Sequence, residues 1–209
     1  MSTDAILLAA DRVCGPKGRR WSDPAQRDEY SLLLAPWDSP ERAVQMAAAQ
    51  SSCALAICAE LLIAEVDGLV RGWRGKPACD PLREPRWERY DAIMYLETLA
   101  LQRGLHRTGR PELRPGIIVQ IGGDGLGGPA HVLLVTGNEG QAIEGGAIDP
   151  GNPRPPPENC TAIRRTTRAI EGAGKRWTMG GRVVRWWCDA GALPTCGEGM
   201  PWERIGLKP

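Results

Sequence analysis

From Gly116 onward the apolar residues of this chain stop recurring at helical spacing. They come instead as short β-branched runs bounded by glycines, IIVQI and then HVLLV, and the segments QAIEGG, TAIRRTTRAI and RVVRWWCDA follow at close intervals. Upstream the period is that of helices. Residues 4–13 carry Ile6, Leu7, Ala10 and Val13 on one stripe and stop at Gly15-Pro16. GPKGRRWSDP reads as a loop, and a short helix follows Pro24. In WDSPERAVQMAAA, Ser39 is placed to cap a helix, with Pro40 at its first position and Glu41 in its first turn. QSSCALAICAELLIAEVDG predicts a further helix, capped by Ser51 or Ser52, apolar on nearly every side until Gly68 and therefore central. After an irregular stretch over 69–86, PRWERYDAIMYLETLALQRG predicts a long amphipathic helix ending at Gly104, and DPGNPRPPPEN a proline-rich loop. Helices first and strands afterwards predict an α+β fold with a mostly antiparallel sheet.

At 209 residues the chain is long enough for one well-buried core, and neither a repeat nor a linker divides it. The expected organisation is a single domain: a helical arm over 1–38, a core over 39–149 and C-terminal strands over 150–209. A net charge of +1 points to neither nucleic acid nor a membrane surface. No apolar run reaches membrane-spanning length, because CALAICAELLIAEV is interrupted by Glu60 and Glu65. The N-terminal segment lacks the basic leader and apolar length of a signal peptide, so synthesis in the cytoplasm is expected. Seven cysteines, an odd number, leave at least one unpaired; there is no C-x-x-C pair and no zinc-type spacing. No metal and no cofactor are expected.

Three residues concentrate the chemistry. Cys53 falls in the first turn of the central helix, where free backbone N–H groups and the positive end of the helix dipole favour a thiolate and can hold an oxyanion. His131 opens the strand HVLLV, a position whose backbone is fixed by a sheet, as a general base requires. Glu144 follows on the next strand and can orient the ring as the third member of a triad. Ser52, Ser51 and Gln50 are the neighbours expected around the oxyanion. Each of the three also has a plainer reading: a small core cysteine, a satisfied histidine beside apolar residues, and a carboxylate at a strand end.

The order of a Cys at a helix start, Pro115-Gly116 leading a strand, His131-Val132 with alternating apolar residues, and a polar residue on the following strand resembles the papain-like cell-wall hydrolases. These are the NlpC-type peptidases and the cysteine- and histidine-dependent amidohydrolases/peptidases. The resemblance covers residues 40–150. It implies a papain-like domain with Cys53 as nucleophile, His131 as base and Glu144 as orienting residue. It further implies hydrolysis of an amide in peptidoglycan stem peptides, by a phage lysin or a secreted antibacterial effector. A delivery or immunity protein is then an expected partner, with export by phage lysis or a secretion machine. Two rival expectations stand beside it: a deamidase or transglutaminase-like toxin on the same triad, and a non-catalytic accessory protein on the same frame.

Other signals carry less. GDGLGG matches a dinucleotide-binding glycine pattern, but Pro129 and a strand follow where that site needs a helix. Residues 161–189 hold seven Arg and Lys against two acids, which reads as a solvated basic face or an anion-binding surface. Adjacent Trp186 and Trp187 should point to opposite faces of one strand. His106, after the long helix, reads as a surface residue.

Overall fold

The two β-branched runs form the middle of an antiparallel sheet. The computed structural model describes residues 3–20, 22–34, 103–123, 130–147 and 162–193, together with positions 53, 56–57, 64, 93, 96–97, 100–101, 150–151 and 153. In chain order its elements are α1 (Thr3–Cys14), β1 (Arg19–Arg20), α2 (Pro24–Leu34), β2 (Ile117–Ile121), β3 (His131–Val135), β4 (Gln141–Ala147), β5 (Ala162–Thr167), β6 (Ile170–Ala173), β7 (Arg176–Met179) and β8 (Arg182–Asp189). A 3-10 turn over Ala190–Ala192 follows, capped by the Asp189 side chain. Helical backbone also occurs at Cys53, Ala56 and Ile57 and at Ile93, Leu96, Glu97, Ala100 and Leu101.

The sheet has eight strands in the order β1-β5-β4-β3-β2-β8-β7-β6, and every pairing is antiparallel. The described residues are thus mostly β, with two helices, and this corrects the expected α+β papain-like fold with several N-terminal helices. The physical reason lies in the C-terminal third. TAIRRTTRAI does not run as one strand: it breaks after Thr167, and the chain adds the hairpin of β6 and β7. GRR, read as loop, supplies the edge strand β1, which pairs with Ile163 and Ala162 of β5. The helices expected after Ser39 and over PRWERYDAIMYLETLALQRG fall largely outside the described residues.

Chain length forces the sheet to curl. In a flat sheet β5 and β6 would lie six strand spacings apart, roughly 29 Å. Yet only Arg168 and Ala169 separate them, and three Cα steps reach about 11 Å at most. The sheet therefore bends back on itself and encloses a core of Ile117, Val119, Ile121, Leu133, Val135, Ala142, Met179 and Val184, with Leu113, Ile170, Trp177 and Trp187 packed against it. A register shift in the β2–β8 pairing at Gln120/Ile121 and another in β4–β5 between Glu144 and Ala147 mark where the ladder bends.

The opposite face carries Ile118, Val132, Leu134, Ile143, Ile163, Trp186 and Cys188, all buried. Helix α1, whose inward stripe is Ile6, Ala9, Ala10, Val13 and Cys14, packs at β5 and is tied there by Arg165, which donates to Gly15 O at 2.6 Å and Asp11 Oδ1 at 2.7 Å. Arg19 is only 3% exposed but fully used: it donates to Val13 O, Arg12 O and Glu29 Oε2, joining the end of α1 to α2. Trp186 and Trp187 do point to opposite faces. Trp186 is buried, donates its indole N–H to Gln120 Oε1 and stacks on His106, their centroids 5.8 Å apart. No helix among the described residues is long and apolar enough to cross a membrane.

Because Trp186 fills the closed face and Trp187 only lines the enclosed core, Trp186→Ala should lower the unfolding free energy by about 3–5 kcal/mol, and Trp187→Ala by clearly less. Urea denaturation of the two variants measures this. Equal losses would contradict the assignment of the faces.

Candidate active site

Strand alternation and register decide which side chains meet. Pairing of Val135 with Ala142 and of Leu134 with Ile143 puts His131, Leu133 and Val135 on the same side as Ala142 and Glu144. That side is the enclosed one. Beyond Ala142 the next strand continues the pattern, with Arg164 opposite Glu144 and Thr166 opposite Ala142.

His131 Nε2 lies 3.0 Å from Glu144 Oε2, and both residues are buried, Glu144 to 1% exposure. A carboxylate only accepts, so Nε2 is the protonated nitrogen and Nδ1 remains for a second partner. Cys53, buried and on helical backbone, also hydrogen-bonds the His131 side chain. Burial by itself pulls the His131 pKa down. The hydrogen bonds from Cys53 and Glu144, together with their charges, outweigh it and set the value at about 8. For Glu144, burial pushes the pKa up, and the His131 hydrogen bond and the charges of His131 and Arg168 overcome it, so the carboxyl sits below its ordinary range.

Arg168 completes the cluster. Its Nε and Nη2 donate to the same Glu144 oxygen at 2.8 and 2.6 Å, and Arg164 Nε stands 3.8 Å from Oε1. Two glycines make room for it. The Arg168 backbone N–H donates to Gly140 O at 3.0 Å, and a Cβ at Gly140 would strike the Arg168 carbonyl. Gly180, at φ +59°, leaves open the space where Arg168 Nη1 passes; a Cβ there would lie 2.7 Å from that nitrogen.

The structure thus brings together Cys53, His131 and Glu144. Ser51, Ser52 and Gln50, expected around an oxyanion, lie outside the described residues, as do residues 124–128 of the glycine-rich loop. Arg168 is the residue that sequence reasoning missed. It belongs to the Arg-rich run that reads as a solvated face, and the one available signal was that Arg164, Thr166 and Arg168 alternate toward the side on which Glu144 points. His106 makes a separate pair with Glu97 at 3.2 Å, without a thiol. The cluster also differs from the other described cysteines: burial and the Asp189 charge push the Cys188 thiol up to about 12. Among the described residues no group of three or more His, Cys, Asp and Glu side chains could hold a metal ion.

Chemically, these groups place a cysteine, an imidazole and a carboxylate in one buried cluster, residue types that a nucleophile, a base and an orienting group require. No protein-family model, curated protein or solved structure matches this chain.

A pH dependence of stability follows. A histidine pKa raised on folding contributes stability that is complete below its ordinary value of 6.5 and is lost as pH climbs through about 8. Its full size is at most about 2 kcal/mol, at roughly 1.4 kcal/mol per pKa unit. Denaturant unfolding across pH 6–8.5 should show this decline in the wild-type protein and a flatter curve in His131→Gln. Identical curves for the two would contradict the pairing.

Proposed function

We propose that this protein is a cysteine hydrolase that cleaves an amide bond through Cys53, His131 and Glu144. The observation that carries the reading is a buried His131 ring with the Glu144 carboxylate 3.0 Å from Nε2 and the Cys53 side chain also within hydrogen-bonding reach. A histidine used only for packing needs one partner for its N–H; this one has a cysteine side chain beside it as well.

In the proposed reaction His131 takes the Cys53 proton, forming a thiolate–imidazolium pair steadied by Glu144. The thiolate attacks the carbonyl carbon, and the C=O electron pair moves onto oxygen. As the tetrahedral intermediate collapses, the C–N bond breaks and the imidazolium gives its proton to the departing amine. A water molecule, deprotonated by the now neutral His131, then attacks the thioester carbon. The C–S bond breaks, a carboxylic acid leaves, and the thiol is restored.

The substrate class proposed first is the stem peptide of peptidoglycan, on the strength of the order of Cys53, Pro115-Gly116, His131 and Glu144 along the chain. Such a substrate lies outside the cytoplasm, so the reading includes release by phage lysis or a secretion machine, with a delivery or immunity protein as partner.

Iodoacetamide near neutral pH should label Cys53 ahead of Cys14 and Cys188, and His131→Ala should slow that labelling strongly. With purified sacculi, wild-type protein should release fragments cut at one defined amide by mass analysis. Cys53→Ala should release none, and His131→Ala should fall by about 10²–10⁴-fold. Equal labelling of the three cysteines, or labelling indifferent to His131, would overturn the reading. Selective labelling with intact sacculi would move the substrate to a protein amide, as for a deamidating toxin.

A further inference from the structure

One oxygen of Glu144 receives three donors. His131 Nε2 reaches Oε2 at 3.0 Å, and Arg168 Nε and Nη2 reach the same atom at 2.8 and 2.6 Å. Among the described residues Oε1 has only the more distant Arg164, 3.8 Å away and about half exposed. A clamp that merely fixed the carboxylate would do better to take one oxygen per donor, in the two-oxygen fork that suits guanidinium and carboxylate. Here the guanidinium is instead concentrated on the atom that holds the histidine, and its charge acts where the ring is bound.

We propose that Arg168 is a positioning residue that tunes His131 through Glu144: it offsets the carboxylate's charge at the shared oxygen, so that Glu144 orients the imidazole without trapping its proton. The proposal rests on the hydrolase reading, in which His131 must both accept a proton and give it up. A bare, buried carboxylate 3.0 Å from the ring would favour the imidazolium strongly, because low dielectric strengthens the pair. An ion-paired carboxylate behaves more like a neutral amide acceptor, keeping the hydrogen bond while losing much of the field.

The surroundings are built to hold the guanidinium there. Its side chain is 20% exposed, its backbone is bound to Gly140, and Gly180 keeps its path clear. The charged and titratable groups facing His131 among the described residues are Cys53 from its helical segment, Glu144 from β4, and, behind Glu144, Arg164 from β5 with Arg168 after it. From β2 the ring's neighbour is the apolar Ile121.

The chain has two histidines, so the titration is read directly from imidazole NMR resonances, with His106 as internal reference. In Arg168→Met the His131 midpoint should rise by about one unit, the effect of removing a nearby unit charge. In Arg168→Lys it should stay close to the wild-type value. If the Met variant does not fold, Arg168→Gln, neutral yet still a donor, should show the same upward movement. A midpoint that stays put or falls while the His106 resonances are unchanged would overturn the proposal, because Arg168 would then only hold Glu144 in place. The measurement needs no substrate. Absence of hydrolysis by the wild-type protein would sink the hydrolase reading, and the titration would still decide the role of Arg168.

Discussion

Strands β2 and β3 have no face to give to water: all ten of their residues are buried. A strand pair apolar on both sides must be covered on both sides, and the chain meets that constraint in two different ways. On one side α1 and the Trp186–His106 stack close the surface. On the other the sheet covers itself, bending until β6 and β7 return over Val119, Leu133 and Val135. The curl does not close the ladder, and β1 and β6 remain its two edge strands. It also determines where a polar cluster can sit, since an ionisable group on the enclosed face must bring its partners with it.

Glu144 is that group. A carboxylate at 1% exposure is unfavourable by several kcal/mol unless it is paired and hydrogen-bonded. Three N–H donors supply the compensation, and they come from elements far apart in sequence: β3 gives the histidine, and the junction after β5 gives the arginine. That junction is the two-residue seam where the sheet turns back on itself. The closure that buries the core therefore also fixes Arg168 next to the triad. Loss of any one member would leave the others as uncompensated buried charge, which makes the cluster specific rather than strongly stabilising.

Part of this was legible in the chain. His131 and Glu144 could be read because HVLLV, a short turn and QAIEGG form a hairpin, and period-two alternation then fixes which side chains share a side. Cys53 falls in the first turn of an expected helix, and its backbone is helical. The fold was not legible. The helical segments are long and strongly patterned and dominated the expectation, whereas β1 is two residues, RR, and β6 and β7 are four each, with polar or glycine positions that carry little periodicity. Arg168 was hidden for a related reason. Its partner is 24 residues away, and nothing local separates it from Arg164 and Arg165, which lie at the surface. What distinguishes it is the break in the Arg-rich run after Thr167, a tertiary consequence of curling.

Position, not residue type, separates the described cysteines. Cys14, Cys53 and Cys188 are all buried and none of them is in a disulfide. Cys188 lies beside Asp189 in the closed face, where burial and a like charge both oppose ionisation and raise its pKa to about 12. Cys14 is fully buried under the end of α1, with Arg165 Nη1 3.7 Å from its sulfur. Of the three described cysteines, Cys53 is the one beside His131, whose Nε2 is held by the Glu144 carboxylate. Under the proposed hydrolase reading, turnover needs both a thiol and a proton carrier beside it, and the neighbourhood of Cys53 is the one that supplies the two together.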